Sequence, residues 1–132
     1  MRVLLDSNVW LAILTTDGFC RRLWKKIRRH HPIFTSQELL EEIESKLQLK
    51  FGFSIRHSRL LMLFVEHHTV QIEVVSKITA CRDAADNKIL AAAIDGKCSC
   101  LVTGDKDLLV LKNFRGIAIV TPREHFELLE KS

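Results

Sequence analysis

Short apolar runs alternate along this chain with longer stretches whose apolar residues recur every three or four positions. The first run, Arg2 to Leu5, reads as a buried strand that leads straight into Asp6. Ser7 or Asn8 can then cap a short helix reaching about Leu14. Thr15 to Gly18 is polar and breaks the pattern. The next helix, about Phe19 to His30, carries its apolar stripe on Phe19, Leu23 and Ile27. Pro32 ends it, and Ile33-Phe34-Thr35 is a short strand. Ser36 is placed to cap a helix over about Gln37 to Lys50, whose stripe is Leu39, Leu40, Ile43 and Leu47. After Gly52, Ser54 opens a helix to about His67, with Ile55, Leu60, Leu61, Leu63 and Phe64 on or near its buried side. Val70 to Val74 alternates with period two and reads as a strand.

The second half continues in the same manner. Asp83 is a natural N-cap for a helix that runs to about Asp95 and stops at Gly96. In that helix Asp86, Leu90 and Ala93 share one face, while Lys88 and Asp95 are expected to point outward. The strand Cys100–Thr103 precedes the turn Gly104-Asp105-Lys106-Asp107 and a short helical piece with Leu108, Leu109 and Leu111. Ile117 to Val120 is another buried strand. Thr121, with Pro122 at the first helical position and Glu124 at the third, caps a last helix to about Lys131. The order β-α-α-β-α-α-β-α-β-α-β-α predicts an α/β fold with a mainly parallel central sheet. With no repeat, linker or low-complexity segment in 132 residues, a single domain over 1–132 is expected.

Composition narrows the class. Hydrophobic residues are 47% and charged residues 27%, the balance of an ordinary globular protein rather than a disordered one. No apolar run approaches the ~20 residues of a membrane helix, so no membrane partner is expected. The N-terminus lacks a basic-then-apolar leader pattern, which points to the cytoplasm. Cys98 and Cys100 lie two apart beside a strand and face the same way. A zinc site would need Cys20 or Cys81 to join them; buried reduced thiols are the simpler reading.

The net charge is +4, a weak pointer to a polyanionic partner. Its distribution says more. Arg21, Arg22, Lys25, Lys26, Arg28 and Arg29 crowd one helix, as either a solvated cationic face or a phosphate-contacting one.

The acids lie elsewhere. Asp6 and Asp105 each follow an apolar strand, and ligands of open parallel sheets bind outside the carboxyl ends of the strands. Asp86 opens the helix leading into the Asp105 strand, on its core-facing side, where an acid needs a partner or a cation. Glu42 lies about 60° from Leu39 on the helical wheel, at the border of the stripe, whereas Glu41 points away from it. Converging carboxylates repel and raise one another's pKa values, and hard cations such as Mg2+ or Mn2+ relieve that cost.

The ordered set Val3-Leu4-Leu5-Asp6-Ser7-Asn8-Val9, Thr35-Ser36 with Leu40-Glu41-Glu42-Ile43, Arg82-Asp83-Ala84-Ala85-Asp86-Asn87-Lys88-Ile89-Leu90 and Leu101-Val102-Thr103-Gly104-Asp105-Lys106-Asp107-Leu108-Leu109 resembles the PIN-domain family. It is most similar to the VapC-like ribonuclease toxins of prokaryotic toxin–antitoxin pairs. The resemblance implies a three-layer α/β/α PIN fold and Mg2+- or Mn2+-dependent hydrolysis of RNA, leaving a 5′-phosphate and a 3′-hydroxyl. It assigns Asp6, Glu42, Asp86 and Asp105 to catalysis and metal binding, with Glu41 as the competing helix acid, and adds Asp107 to the metal set. Thr103 and Asn8 fall at polar positions lining the site. Ala84-Ala85 departs from relatives that carry Pro and a further acid there. An antitoxin protein, an RNA substrate and a homodimer are the implied partners.

Two rival readings stand beside this one. An aspartyl-phosphate phosphatase would use Asp6 as nucleophile, but that class wants a second Asp where Asn8 stands. A PIN-fold module that binds nucleic acid or protein without cutting would not need the full acid set.

Overall fold

The computed structural model describes residues 1–131. The elements follow as β1 (Val3–Leu5), α1 (Ser7–Thr15), α2 (Phe19–His30), β2 (Ile33–Ser36), α3 (Gln37–Leu49), α4 (Ile55–His67), β3 (Val70–Ile72), α5 (Ala84–Asp95), β4 (Cys100–Val102), α6 (Lys106–Leu109), β5 (Asn113–Phe114), β6 (Ile117–Val120) and α7 (Pro122–Glu130). This is the expected α/β fold with a mainly parallel sheet. Its strand order is β3-β2-β1-β4-β6-β5, parallel throughout except for the β5–β6 pair.

That order has a functional consequence. The chain builds outward from β1 to β2 and β3, then returns to β4 on the other side of β1. By the right-handed rule for parallel crossovers, a sheet built outward and then reversed puts α1 to α4 and α5 on opposite faces. The reversal falls between β1 and β4, whose carboxyl ends therefore flank a crevice. β1 and β4 are both fully buried, with Leu5 in register with Val102. The core around them is formed by Leu4, Trp10, Leu23, Ile27, Ile43, Leu47, Met62, Leu90, Leu101 and Leu108, each under 2% exposed.

Local structure differs from the sequence expectations at five places. Helix α1 is capped by Asp6 itself, whose side chain accepts from the Ser7 N–H, and not by Ser7 or Asn8. Strand β3 stops at Ile72. Strand β5 is an addition, closed onto β6 by Arg115 and Gly116, both with positive φ. A hairpin with two such residues normally signals itself by Asn-Gly or Asp-Gly, and Arg in the first position hides it.

Helix α4 matches only part of its expected buried side: Leu61 and Phe64 pack against the core. It buries Ser58, Met62 and Val65, leaving Ile55 75%, Leu60 58% and Leu63 53% exposed. Ser58 tolerates burial because its hydroxyl donates to Ile55 O at 3.0 Å and accepts from Gln48 Nε2 at 2.9 Å. Asp95 does not simply face solvent either. It accepts the backbone N–H of Val75 at 2.7 Å and of Ser76 at 2.8 Å, and also the Ser76 hydroxyl. At the other end of the same irregular stretch, Asn87 brackets Cys81 by bonding both its N–H and its carbonyl at 2.8 Å. The two anchors lead the chain from β3 to the start of α5, which carries Asp86.

All four cysteines are free thiols, with Cys98 and Cys100 buried. Cys100 Sγ lies 3.3 Å from Nδ1 of the fully buried His125. Among the described residues no helix is long and apolar enough to cross a membrane.

Candidate active site

The crevice is built from backbone outward. Asp6 is the first residue after β1, and its N–H still bonds to Val102 O at 2.9 Å, so β4 fixes its position. Asp6 is 7% exposed, and its carboxylate accepts hydrogen bonds on both oxygens. Oδ1 accepts from Ser7 N at 2.7 Å, and Oδ2 accepts from Thr103 Oγ1 at 2.7 Å and, more weakly, from Asn8 Nδ2 at 3.4 Å. Burial raises the Asp6 pKa. The Thr103 and Ser7 hydrogen bonds oppose that, Glu42 adds to it, and Lys46 draws it back.

Thr103, fully buried at the end of β4, is the hinge of the arrangement. Its hydroxyl donates to Asp6 and accepts from Asp105 N at 3.0 Å. Asn8 ties the same two loops together by accepting from Gly104 N at 3.1 Å. Asp105 then caps α6, its Oδ1 accepting from Asp107 N at 2.9 Å. That turn directs the Asp105 and Asp107 side chains to one place.

Asp86 arrives from the opposite wall. It lies in the first turn of α5 and is 6% exposed. Asp83 is exposed and spends its side chain on the Ala85 N–H at 2.9 Å, an ordinary N-cap. Carboxylate oxygens of Asp86, Asp105 and Asp107 lie within 4.8 Å of one another. Among the described residues no Lys or Arg forms an ion pair with any of the three. Burial, then the Asp105 and Asp83 charges, a shared hydrogen bond with Asp105 and the Asp6 charge push the Asp86 pKa up to about 6.

Glu42 borders the site on the Asp6 side. Its side chain is 33% exposed and lies 3.8 Å from Lys46 Nζ. Glu41 is exposed, accepts from Gln37 Nε2 at 3.3 Å and, like Glu42, lines the groove between α3 and α5. The structure therefore groups Asp86, Asp105 and Asp107 tightly, with Asp6 and Glu42 continuing the line of charge. Lys46 escaped the sequence reading. Its position four residues after Glu42 was the available signal, since that spacing returns to the same helix face.

The donor set is all carboxylate oxygen, partly buried, and mutually repulsive. That is the chemistry of a site for a hard divalent cation, with Asp86, Asp105 and Asp107 as the closest group of ligand atoms. No sulfur or imidazole joins this group among the described residues.

The basic helix α2 divides into two populations. Arg21 donates through Nε and Nη2 to Ile13 O, and Lys26 pairs with Glu130 at 3.1 Å. Arg22, Lys25, Arg28 and Arg29 are exposed and form no ion pair among the described residues. Arg28 lies over the Trp24 ring at 4.9 Å.

A family model for the PIN domain matches residues 2–107. A search of curated protein sequences finds no match. Two solved structures are similar. VapBC2 from Rickettsia felis, bound to a DNA fragment from its promoter, has a TM-score of 0.71 at 13% identity, over 92% of this chain and 98% of that one. PAE2754 from Pyrobaculum aerophilum has a TM-score of 0.68 at 15% identity, over 100% of this chain and 91% of that one. Identities this low speak for the fold. The family match runs from β1 through α6 and takes in every carboxylate of the crevice, and on that match this chain belongs to the PIN-domain family.

Proposed function

We propose that this protein is a Mg2+- or Mn2+-dependent endoribonuclease, the toxin component of a toxin–antitoxin pair. The observation that carries the reading is Asp86: a buried acid grouped with Asp105 and Asp107, its pKa raised to about 6, with no cationic side chain paired to it among the described residues. A group so placed costs stability unless a cation completes it.

Asp86, Asp105 and Asp107 would hold the ion, with Asp6 and Glu42 extending the acidic line along the scissile phosphate. A divalent ion bound there lowers the pKa of a bound water and offsets charge on the phosphoryl group. Thr103 and Asn8 orient Asp6, and the Asp105 turn keeps two carboxylates aimed at one point. In the hydrolysis, the water oxygen bonds to phosphorus as the P–O3′ bond breaks. The proton lost by water balances the one gained by O3′, giving a 5′-phosphate and a 3′-hydroxyl. Arg22, Lys25, Arg28 and Arg29 are the candidate seat for the RNA backbone, with single-stranded or looped RNA as the substrate class.

The fold-level likeness to VapBC2 supports an antitoxin partner, and we read residues 1–132 as one nuclease domain acting as a homodimer in the cytoplasm. Purified protein with a labelled, partly looped RNA tests the activity. Cleavage with Mg2+ or Mn2+ that is lost in chelator and in Asp6→Asn is the expected result. No cleavage with either metal, or equal cleavage by Asp6→Asn, overturns it.

A further inference from the structure

We infer that Lys46 supplies the second positive charge of this site, so that the protein works with one divalent ion and uses the Lys46 ammonium at the scissile phosphate in place of another. The inference rests on the nuclease reading and deepens it.

The acids of the crevice are not equivalent. Asp86, Asp105 and Asp107 form a tight group without an ion-paired cation among the described residues, whereas the Asp6–Glu42 end already has one. Lys46 Nζ lies 3.8 Å from Glu42 Oε1 and donates to Ser7 Oγ at 3.2 Å. Ser7 is 2% exposed, follows Asp6 directly and is 39 residues from Lys46 in sequence. A solvated surface lysine would pair with Glu42 one turn away and stop there. The Ser7 contact instead pins this ammonium at the mouth of α1, where its charge acts on Asp6.

Two further points argue against a second metal ion at this end. Asp6 Oδ1 accepts from Ser7, and Oδ2 accepts from Thr103 and, more weakly, Asn8, so Oδ2 is occupied and Oδ1 keeps one lone pair for another ligand bond. A divalent ion between Asp6 and Glu42 would also meet the ammonium at close range. An ammonium has three N–H donors. Ser7 takes one and the Glu42 carboxylate attracts a second, so the third is available to a non-bridging phosphate oxygen. Lysine suits that task as a compact point charge.

The test counts ions and follows cleavage on the full chain. Mn2+ binding is titrated by calorimetry and by electron paramagnetic resonance of the free ion, for wild type, Lys46→Met and Lys46→Arg. Single-turnover cleavage is measured across Mn2+ concentrations. The expected wild-type result is one Mn2+ per chain and a rate that rises to the first power of Mn2+. Lys46→Met should still bind Mn2+ but lose roughly 100-fold in cleavage rate, and Lys46→Arg should recover part of that loss. Two Mn2+ per active wild-type chain, or Lys46→Met cutting at the wild-type rate, overturns the assignment of Lys46 and leaves the nuclease reading standing. A wild type that binds no Mn2+ and does not cut overturns both.

Discussion

The Thr103 hydroxyl donates to Asp6 Oδ2 at 2.7 Å, a bond between residues 97 apart in sequence that joins the ends of β1 and β4. Thr103 Oγ1 also accepts from the Asp105 N–H, so one hydroxyl sets the position of two acids. Thr103→Val keeps the shape and removes the bond. It should cost about 1–2 kcal/mol of stability and weaken Mn2+ binding, while Thr103→Ser retains most of both. Urea unfolding and calorimetric Mn2+ titration on the three proteins measure this.

Asp86 gives a pH dependence of definite sign. Its folded pKa, about 6, lies above the ordinary value of 3.8. The metal-free fold therefore holds this proton more tightly than the unfolded chain. The stabilising contribution is present below pH 3.8 and is lost as pH rises through 6. Divalent ions compete with that proton, so Mn2+ affinity should fall about tenfold per pH unit below pH 6 and level off above it. Titrations at pH 5, 6, 7 and 8 test the profile.

His125 has the opposite sign. It is fully buried beside Cys100, and burial lowers its pKa from 6.5 to about 4. The fold excludes a proton that the unfolded chain accepts below pH 6.5. Stability from this group is complete above pH 6.5 and is lost as pH falls toward 4, by about 3 kcal/mol in all. His125→Leu should flatten that acid limb in urea unfolding between pH 7 and 4, and comparison of the two proteins separates it from the Asp86 contribution.

Glu42 and Glu41 are neighbours with different surroundings. Both line the groove between α3 and α5, but Glu42 acts on Asp6 and pairs with Lys46, while Glu41 bonds Gln37. Glu42→Gln should lower RNA cleavage roughly 100-fold, and Glu41→Gln should leave it within about threefold. Rates at saturating Mn2+ for both variants decide between them.

Much of this architecture was legible in the sequence because each signal was local. Apolar runs ending in Asp6 and Asp105 located the sheet edge, and helix-face geometry separated buried Asp86 from exposed Asp83. The features that escaped depend on partners distant in the chain or on satisfied polar groups. Ser58 can be buried because Gln48 and Ile55 bond its hydroxyl, so the buried side of α4, which includes the expected Leu61 and Phe64, also takes in a polar residue that apolar periodicity passes over. Asp95 is drawn in by backbone N–H groups 19 and 20 residues earlier. Lys46 reaches Ser7 only once α1 and α3 are packed together.

The central claim is that the buried acid Asp86 exists for a cation and for RNA hydrolysis rather than for the fold. Asp86→Asn separates the two. Above pH 6 without metal, the variant should unfold about 1–2 kcal/mol later than wild type, because a repelled charge is gone. With saturating Mn2+ it should show no detectable cleavage of an RNA that wild type cuts to 5′-phosphate ends. A folded Asp86→Asn protein that cuts RNA at the wild-type rate would contradict the account.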